Sequence, residues 1–109
     1  MGRAMKGEVV VIPFPFSDLS VSKRRPALVV ADWGGDDIML CQITSQGKRD
    51  GMEVFLSESD FATGRLPVPS HIRPNKIFTA DRRIIRAVAG KVKDAKYQQV
   101  VMRITALIS

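Results

Sequence analysis

The chain of 109 residues contains one cysteine, Cys41, and one histidine, His71. A lone cysteine cannot form an intramolecular disulfide, and a structural zinc site needs about four cysteine or histidine ligands. No segment approaches the ~18 consecutive apolar residues of a membrane-spanning helix. The first seven residues are basic but lack the apolar core of a secretion signal. We therefore expect a cytoplasmic globular protein with no structural metal, no cofactor and no membrane segment.

The composition is that of a folded domain. Hydrophobic residues make up 45% of the chain and charged residues 26%, a composition that argues against disorder. The length favours one domain over residues 1–109, with a single substantial core.

Positive charge exceeds negative charge and is unevenly distributed. Lys and Arg number 17 and Asp and Glu 11, which gives a net charge of +6. Residues 32–60 contain seven acids, whereas residues 63–93 contain eight basic residues and one acid, Asp81. Lys23-Arg24-Arg25 forms a second basic cluster. This segregation favours a positive face for a polyanion such as nucleic acid, although the solvated surface of any basic protein gives the same pattern.

Short aliphatic and β-branched runs between turn residues predict strands. They cover residues 8–14, 26–31, 38–44, 52–56, 68–73 and 76–79. We expect Pro26 to begin its strand or to lie on an edge, and Pro74 to separate the last two strands. Residues 59–64 predict a helical turn closed by Gly64, and residues 81–86 a short helix.

The C-terminal segment predicts a helix. Asp94 can cap its N-terminus. Apolar residues then follow the i, i+3, i+4, i+7 spacing of one stripe: Tyr97, Val100, Val101, Ile104, Leu107 and Ile108. The stripe faces either the sheet or a second subunit. Short strands with one terminal helix indicate a mainly β fold, a small, strongly curved sheet or barrel against which the helix packs.

The second and third predicted strands permit a register calculation. Gly34-Gly35 predicts a tight hairpin turn between them. If these glycines are the two loop residues, the numbers of paired residues sum to 69. Leu28 then lies opposite Cys41, and Val30 opposite Met39.

The same register places Arg25 opposite Thr44. Cross-strand Cβ atoms lie roughly 4.5–5.5 Å apart, so this guanidinium and this hydroxyl can bracket one phosphate. A slip of one residue, or a bulge, would move Thr44 to the other face of the sheet. Taken singly, a surface arginine beside a proline and an ordinary strand threonine are the simpler interpretations, and it is the opposition of the two residues in a basic protein that favours a phosphate site.

An ordered set of short motifs resembles the MazF/PemK toxins of type II toxin–antitoxin systems. The motifs are Gly7-Glu8-Val9-Val10-Val11, Arg25-Pro26-Ala27-Leu28-Val29-Val30, Gln42-Ile43-Thr44-Ser45-Gln46, Leu66-Pro67-x-Pro69-Ser70-x-Ile72-Arg73, Lys76-Ile77-x-Thr79 and Gly90-Lys91-Val92. The resemblance implies an SH3-like, strongly curved small β barrel that forms a homodimer. It also implies metal-independent, sequence-specific cleavage of single-stranded RNA, restrained by a cognate antitoxin.

The resemblance also implies a catalytic pair. In the family, the arginine before the proline and the threonine that ends the third strand are the usual catalytic residues, and they match Arg25 and Thr44. Arg24 could take the place of Arg25 if the preceding loop shifted by one residue.

A ribonuclease without a metal can use the 2′-OH of RNA as its nucleophile, leaving a 2′,3′-cyclic phosphate and a 5′-OH. Proton transfer near neutral pH suits His71, although a histidine packed or solvated on its strand is the simpler interpretation. Basic and polar residues near the pair are candidate RNA contacts: Lys23, Arg24, Ser45, Gln46, Lys48, Arg49, Ser70, His71 and Arg73. An acidic, disordered segment of the antitoxin could fold onto this basic surface and block RNA.

Three other functions remain open at this point. A toxin of the same fold can act by binding a protein target such as gyrase. A non-catalytic SH3-like module can bind nucleic acid without cutting it. A toxin can also fold and dimerise after losing its activity.

Overall fold

Within the described residues, seven strands form one curled antiparallel sheet, and a helix follows them. The computed structural model describes residues 5–14, 23–47 and 51–109. The strands are β1 Glu8–Phe14, β2 Lys23–Asp32, β3 Asp37–Thr44, β4 Val54–Leu56, β5 Phe61–Gly64, β6 Ser70–Asp81 and β7 Ala87–Val92, and the helix is α1 Asp94–Ile108. Their order in the sheet is β4-β6-β3-β2-β1-β7-β5. The predicted mainly β, strongly curved fold with a C-terminal helix is confirmed.

Pro26 lies inside a central strand. It is the fourth residue of β2, which pairs with β1 on one side and β3 on the other, so the prediction of a first or edge position is wrong. The recorded β2–β3 pairing starts only at Ala27. Pro26 has no partner residue on β3, so its missing N–H disrupts no pairing between these two strands.

Pro74 likewise does not divide its segment. β6 runs without a break from Ser70 to Asp81, so the prediction of two separate strands is wrong. In the β3–β6 ladder, residues 74–76 are inserted between the partners of Gln42 and Cys41. A bulge of this kind tolerates proline, because the inserted residues need not donate to the neighbouring strand.

The segment around Gly64 is a strand and not a helical turn. A 3₁₀ turn covers Glu58–Asp60, and the chain then enters β5. β5 pairs with β7, a strand that the sequence did not predict. A Cβ at Gly64 would lie 2.1 Å from the carbonyl oxygen of Ala89, and the residue has a φ of +70°. Glycine at this position therefore permits the close approach of the two strands.

Two hydrophobic clusters cover opposite faces of the sheet, because side chains alternate along each strand. The first cluster lies between the sheet and α1 and comprises Val9, Leu28, Val30, Cys41, Ile43, Val54, Leu56, Phe61, Ile72, Val92 and Val100. The second cluster lies on the other face and comprises Val10, Ile12, Ala27, Val29, Ile38 and Leu40, with Phe78, Ala80, Ile84 and Ile85 packed against it. The 3₁₀ turn Arg82–Ile84 stands where a short helix was predicted, and it contributes to this cover.

The helix packs against the first cluster through part of its apolar stripe. Val100 is buried, and Tyr97 and Ile104 contact the cluster, whereas Ile108 is 81% exposed. The N-cap residue is Lys93, so the prediction of Asp94 as the cap is wrong by one residue. No helix in the described part of the chain is long and apolar enough to cross a membrane.

Candidate functional site

The β2–β3 register brings the predicted pair of residues to one face of the sheet. Ala27 pairs with Gln42, and the next two pairs also sum to 69, as predicted. The β2–β3 pairs end at Ala27 and Gln42. Two residues further along each strand, Arg25 and Thr44 share the face of that pair, because side chains alternate along a strand. Arg24 points to the other face, because successive side chains of a strand alternate. Of the two arginines, Arg25 therefore shares the face of Thr44.

This register results from two deviations that offset each other. The strands end at Asp32 and resume at Asp37, so the turn is longer than two residues, and Val30 is inserted as a bulge. Met39 consequently pairs with Ala31, and the predicted pairing of Val30 with Met39 is wrong. Beyond the bulge the predicted register returns, and it holds for Ala27, Leu28 and Val29.

The Arg82 side chain holds the turn in place. Its guanidinium donates two hydrogen bonds to the Asp32 carboxylate, at 2.9 and 2.6 Å. It also donates to the Gly35 carbonyl oxygen, and the backbone N–H of Arg82 donates to the Asp36 carbonyl oxygen at 2.9 Å. A bidentate arginine–carboxylate pair fixes orientation as well as distance, so it anchors the turn from which the register starts.

Strand β6 extends the row of polar side chains. His71 pairs with Thr44, and Arg73 pairs with Gln42, so both lie on the face of Arg25. On its other side His71 pairs with Phe55 of β4. Directly paired residues point to the same side of a sheet. We call this set of residues, Arg25, Gln42, Thr44, His71 and Arg73, the polar face.

The Thr44 hydroxyl has a defined orientation. The backbone N–H of Gln46 donates to its Oγ1 at 3.1 Å, in a turn that directly follows β3. Oγ1 thus accepts a hydrogen bond from the backbone, while its own hydrogen can donate to an anion. Ser45 and Gln46 are exposed beside it.

The His71 ring is held by a carboxylate. Its Nδ1 lies 3.0 Å from Oε2 of Glu53, and the two side chains are 27% and 12% exposed. The Phe55 ring packs against the imidazole, with centroids 5.4 Å apart and a tilt of 60°. Both contacts fix the plane of the ring.

The two arginines of the polar face are largely withdrawn from solvent. Arg73 is 7% exposed, and Arg25 is half-buried. Nε of Arg25 is buried and has no hydrogen-bond partner among the described residues. Buried polar groups are normally satisfied, so an unsatisfied donor on a permanently charged group suits an anionic ligand. Lys23 is exposed at the start of the same strand.

Not every candidate residue lies on this face. Ser70 pairs with Leu56 on the side of the first cluster, is 2% exposed, and its hydroxyl donates to the Val68 carbonyl oxygen at 3.0 Å. Lys48 and Arg49 lie outside the described residues. The structure does not bring Ser70 together with the polar face.

Sequence reasoning missed two members of the site. Gln42 could have been found, because it lies two residues before Thr44 and must share its face. Glu53 gave no such signal, since it meets His71 only through the pairing of β4 with β6.

The described residues provide neither a metal site nor a reactive cysteine. No three His, Cys, Asp or Glu side chains there converge to hold a metal ion. Cys41 belongs to the first cluster, and burial raises the pKa of its thiol to about 12, so it is not a nucleophile at neutral pH.

Comparison with known proteins agrees with this fold. An endoribonuclease from a mycobacterial species, solved with its cognate antitoxin, superposes with a TM-score of 0.78 at 14% identity over 97% of this chain and 95% of that one. A MazE–MazF structure from Deinococcus radiodurans gives a TM-score of 0.72 at 22% identity over 95% and 93% of the two chains. The toxin MazF-mt6 of Mycobacterium tuberculosis gives 0.73 at 14% identity over 93% and 95%.

The sequence matches a protein family, although it matches no individual curated protein. No curated protein sequence matches the chain significantly. The profile of the PemK-like, MazF-like toxins matches residues 5–108, which is nearly the whole chain. The chain therefore belongs to the PemK-like, MazF-like toxins of type II toxin–antitoxin systems.

Proposed function

We propose that this toxin is a metal-independent, sequence-specific endoribonuclease of single-stranded RNA. The observation that carries the proposal is the polar face, where Arg25 and Thr44 belong to one row across adjacent strands and His71 extends it. A toxin that acts by binding a protein target needs no such pairing of a guanidinium with a hydroxyl. The structural neighbour described as an endoribonuclease with its cognate antitoxin supports the same activity.

The reaction uses a nucleophile that the substrate brings. The 2′-oxygen attacks the adjacent phosphorus, the bond to the 5′-oxygen breaks, and a 2′,3′-cyclic phosphate and a 5′-OH result. The enzyme has to align the attack and to neutralise the charge that grows on the non-bridging oxygens. No metal-bound water is required for this chemistry.

Arg25 and Thr44 divide the work on the phosphate. The guanidinium of Arg25 clamps two oxygens with a permanent charge, and its buried Nε gains the acceptor that the described residues do not provide. The Thr44 hydroxyl, oriented by the backbone N–H of Gln46, donates to an oxygen whose charge increases in the transition state. Removing one such donor from an enzyme typically costs about 10²–10³ in rate.

The remaining cations hold the RNA strand. Lys23 is exposed on the same side of the sheet as the pair and meets a flanking phosphate, while Ser45 and Gln46 contact the adjacent nucleotide. We also assign Arg24, Lys48 and Arg49 to phosphate contacts. A strand bound mainly through phosphates is released as salt concentration rises.

Two partners complete the proposal. The antitoxin presents an acidic segment, disordered when free, that folds over the basic surface and excludes RNA. The active toxin is a homodimer.

The test is cleavage of a long unstructured RNA in excess EDTA by the wild-type protein and by Arg25→Ala and Thr44→Ala. We expect both variants to lose about 10²–10³ in rate and to keep RNA binding. Arg24→Ala should weaken binding without abolishing cleavage. Arg103→Ala is the matched control, since it removes the same charge from an exposed position of α1. Intact RNA with folded wild-type protein would refute the proposal in favour of protein-target poisoning, passive binding or an inactive toxin.

A further inference from the structure

The His71–Glu53 pair lies at the end of the row that holds the proposed reaction centre. His71 is the direct cross-strand partner of Thr44, so their Cβ atoms are about 4.5–5.5 Å apart. Nδ1 of the ring faces the Glu53 carboxylate at 3.0 Å. A carboxylate in this position favours the tautomer that carries its proton on Nδ1, and Nε2 is then left as a proton acceptor.

The chain leaves space beside Nε2. A Cβ built at Gly47 would lie 3.3 Å from Nε2 and 3.4 Å from Oε2 of Glu53, so a larger side chain would crowd the pair. The Phe55 ring packs against another side of the imidazole. The imidazole is therefore held from two directions, and a side chain at position 47 would crowd its Nε2 edge.

We propose that His71, oriented by Glu53, is the general base of the proposed RNA cleavage, an assignment that rests on that activity. Nε2 takes the proton of the 2′-OH as the 2′-oxygen forms its bond to phosphorus. The bond from phosphorus to the 5′-oxygen breaks, and the departing 5′-oxygen takes a proton from water. The imidazolium returns its proton to solvent after the products leave, so the enzyme is restored.

The other groups of the polar face are poorer bases. Arg25 and Arg73 carry guanidiniums, which have donors and no acceptor and so do not serve as bases. The Thr44 hydroxyl is engaged as a donor to the phosphate in the proposed mechanism. Glu53 is turned to Nδ1 of the ring and stabilises the imidazolium that forms. Among the described side chains of this face, His71 is the one with a ring nitrogen, Nε2, left free as a proton acceptor when Nδ1 faces Glu53.

The experiment measures single-turnover cleavage of a short oligonucleotide that contains the cut site mapped with the wild-type protein. His71→Ala should lose about 10²–10⁴ in rate with RNA affinity little changed. Added imidazole should restore part of this rate in proportion to its neutral form, and it should not restore Arg25→Ala. Thr79→Ala, an exposed change on the same strand, is the control that keeps the wild-type rate.

Glu53→Gln tests the orienting role without removing the imidazole. The glutamine amide can donate to Nδ1 and so favour the tautomer with the proton on Nε2, which cannot accept the 2′-OH proton. We expect a loss on the order of tenfold or more in rate at unchanged affinity. Since this variant keeps the His71–Phe55 contact, it also remains informative if His71→Ala folds poorly.

A substrate with sulfur in place of the scissile 5′-oxygen distinguishes a general base, which removes the 2′-OH proton, from a general acid, which protonates the leaving group. A thiolate leaves without a proton, so a defect in protonating the leaving group disappears with this substrate. We expect the His71→Ala defect to persist, because removal of the 2′-OH proton is unaffected by the sulfur. A defect that vanishes would assign His71 to the leaving group and overturn the proposal.

The two proposals fail in different ways. If the wild-type protein leaves RNA intact, the ribonuclease assignment fails. If the wild-type protein cuts and folded His71→Ala cuts at the same rate, only the assignment of His71 fails.

Discussion

Removal of one hydroxyl from α1 should destabilise the strand that carries Arg25. The Tyr97 hydroxyl donates to the carbonyl oxygen of Val30 at 2.6 Å. Val30 is the residue that β2 inserts as a bulge opposite β3, and it is 8% exposed. Burial, with a smaller contribution from the Asp94 carboxylate, raises the pKa of the Tyr97 hydroxyl, which keeps it a donor at neutral pH.

The magnitude follows from what Tyr97→Phe leaves behind. The ring stays, so no large cavity forms, but a nearly buried carbonyl loses a donor. A loss of this kind costs about 1–3 kcal/mol in the free energy of unfolding. At this chain length 1 kcal/mol shifts Tm by about 4 °C, so the expected decrease is about 4–12 °C.

Urea unfolding and thermal melting of Tyr97→Phe measure this effect at pH 7. Ser109→Ala is the control, because it removes a hydroxyl that donates to the exposed Thr105 carbonyl oxygen at the end of the same helix. The sign of the pH dependence also follows. Because the pKa of the Tyr97 hydroxyl is higher in the folded protein, this group contributes stability below its ordinary pKa of about 10. The contribution is lost as pH rises through the pKa of the folded protein. The difference in stability between the wild-type protein and Tyr97→Phe should therefore shrink at high pH. Equal stability of Tyr97→Phe and the wild-type protein at pH 7 would refute the role of the bulge contact.

Three further changes test other parts of the structure. Gly64→Ala should cost about 2–5 kcal/mol in urea unfolding, because it combines a positive φ with a Cβ 2.1 Å from the Ala89 oxygen; near-wild-type stability would contradict that packing. The Cys41 thiol, whose pKa burial raises to about 12, should react with a thiol reagent at pH 8 far more slowly in folded protein than in urea, and equal rates would show that it is accessible. Arg83 lowers the pKa of the Asp81 carboxyl to about 2 through a side-chain hydrogen bond, so stability contributed above about pH 4 should be lost as pH falls toward 2. Asp81→Asn should abolish that part of the acid dependence in urea titrations, and an unchanged profile would count against the pair.

The sequence predicts well where local pattern and tertiary structure agree. β1 has the predicted bounds, and β3 begins one residue early, because continuous apolar runs form strands that are covered on both faces of the sheet. The positions of Pro26 and Pro74 were predicted wrongly, because the effect of a proline in a strand depends on whether a neighbouring strand needs the missing N–H as a hydrogen-bond donor. Pro74 lies in a bulge that only the pairing of β6 with β3 creates. β7 was missed because its residues Ala87–Val92 mix small and charged side chains.

In the candidate site too, local contacts could be predicted from the sequence and contacts between distant segments could not. The register that joins Arg25 to Thr44 could be calculated because both residues belong to one hairpin. The calculated register holds for Ala27, Leu28 and Val29 because a longer turn and the bulge at Val30 offset each other, and no local sequence pattern predicts that compensation. The partnership of His71 with Glu53 depends on β4 adding to the edge of β6, a contact between segments that the sequence does not join.

The central claim is tested most directly by the chemical ends of the RNA fragments. The measurement is mass spectrometry of fragments formed by the wild-type protein in excess EDTA, with Arg25→Ala treated in parallel. Attack by the 2′-OH predicts 2′,3′-cyclic phosphate and 5′-OH ends from the wild-type protein and uncut RNA from the variant. Fragments with 3′-OH and 5′-phosphate ends, or equal cleavage by Arg25→Ala, would contradict the account.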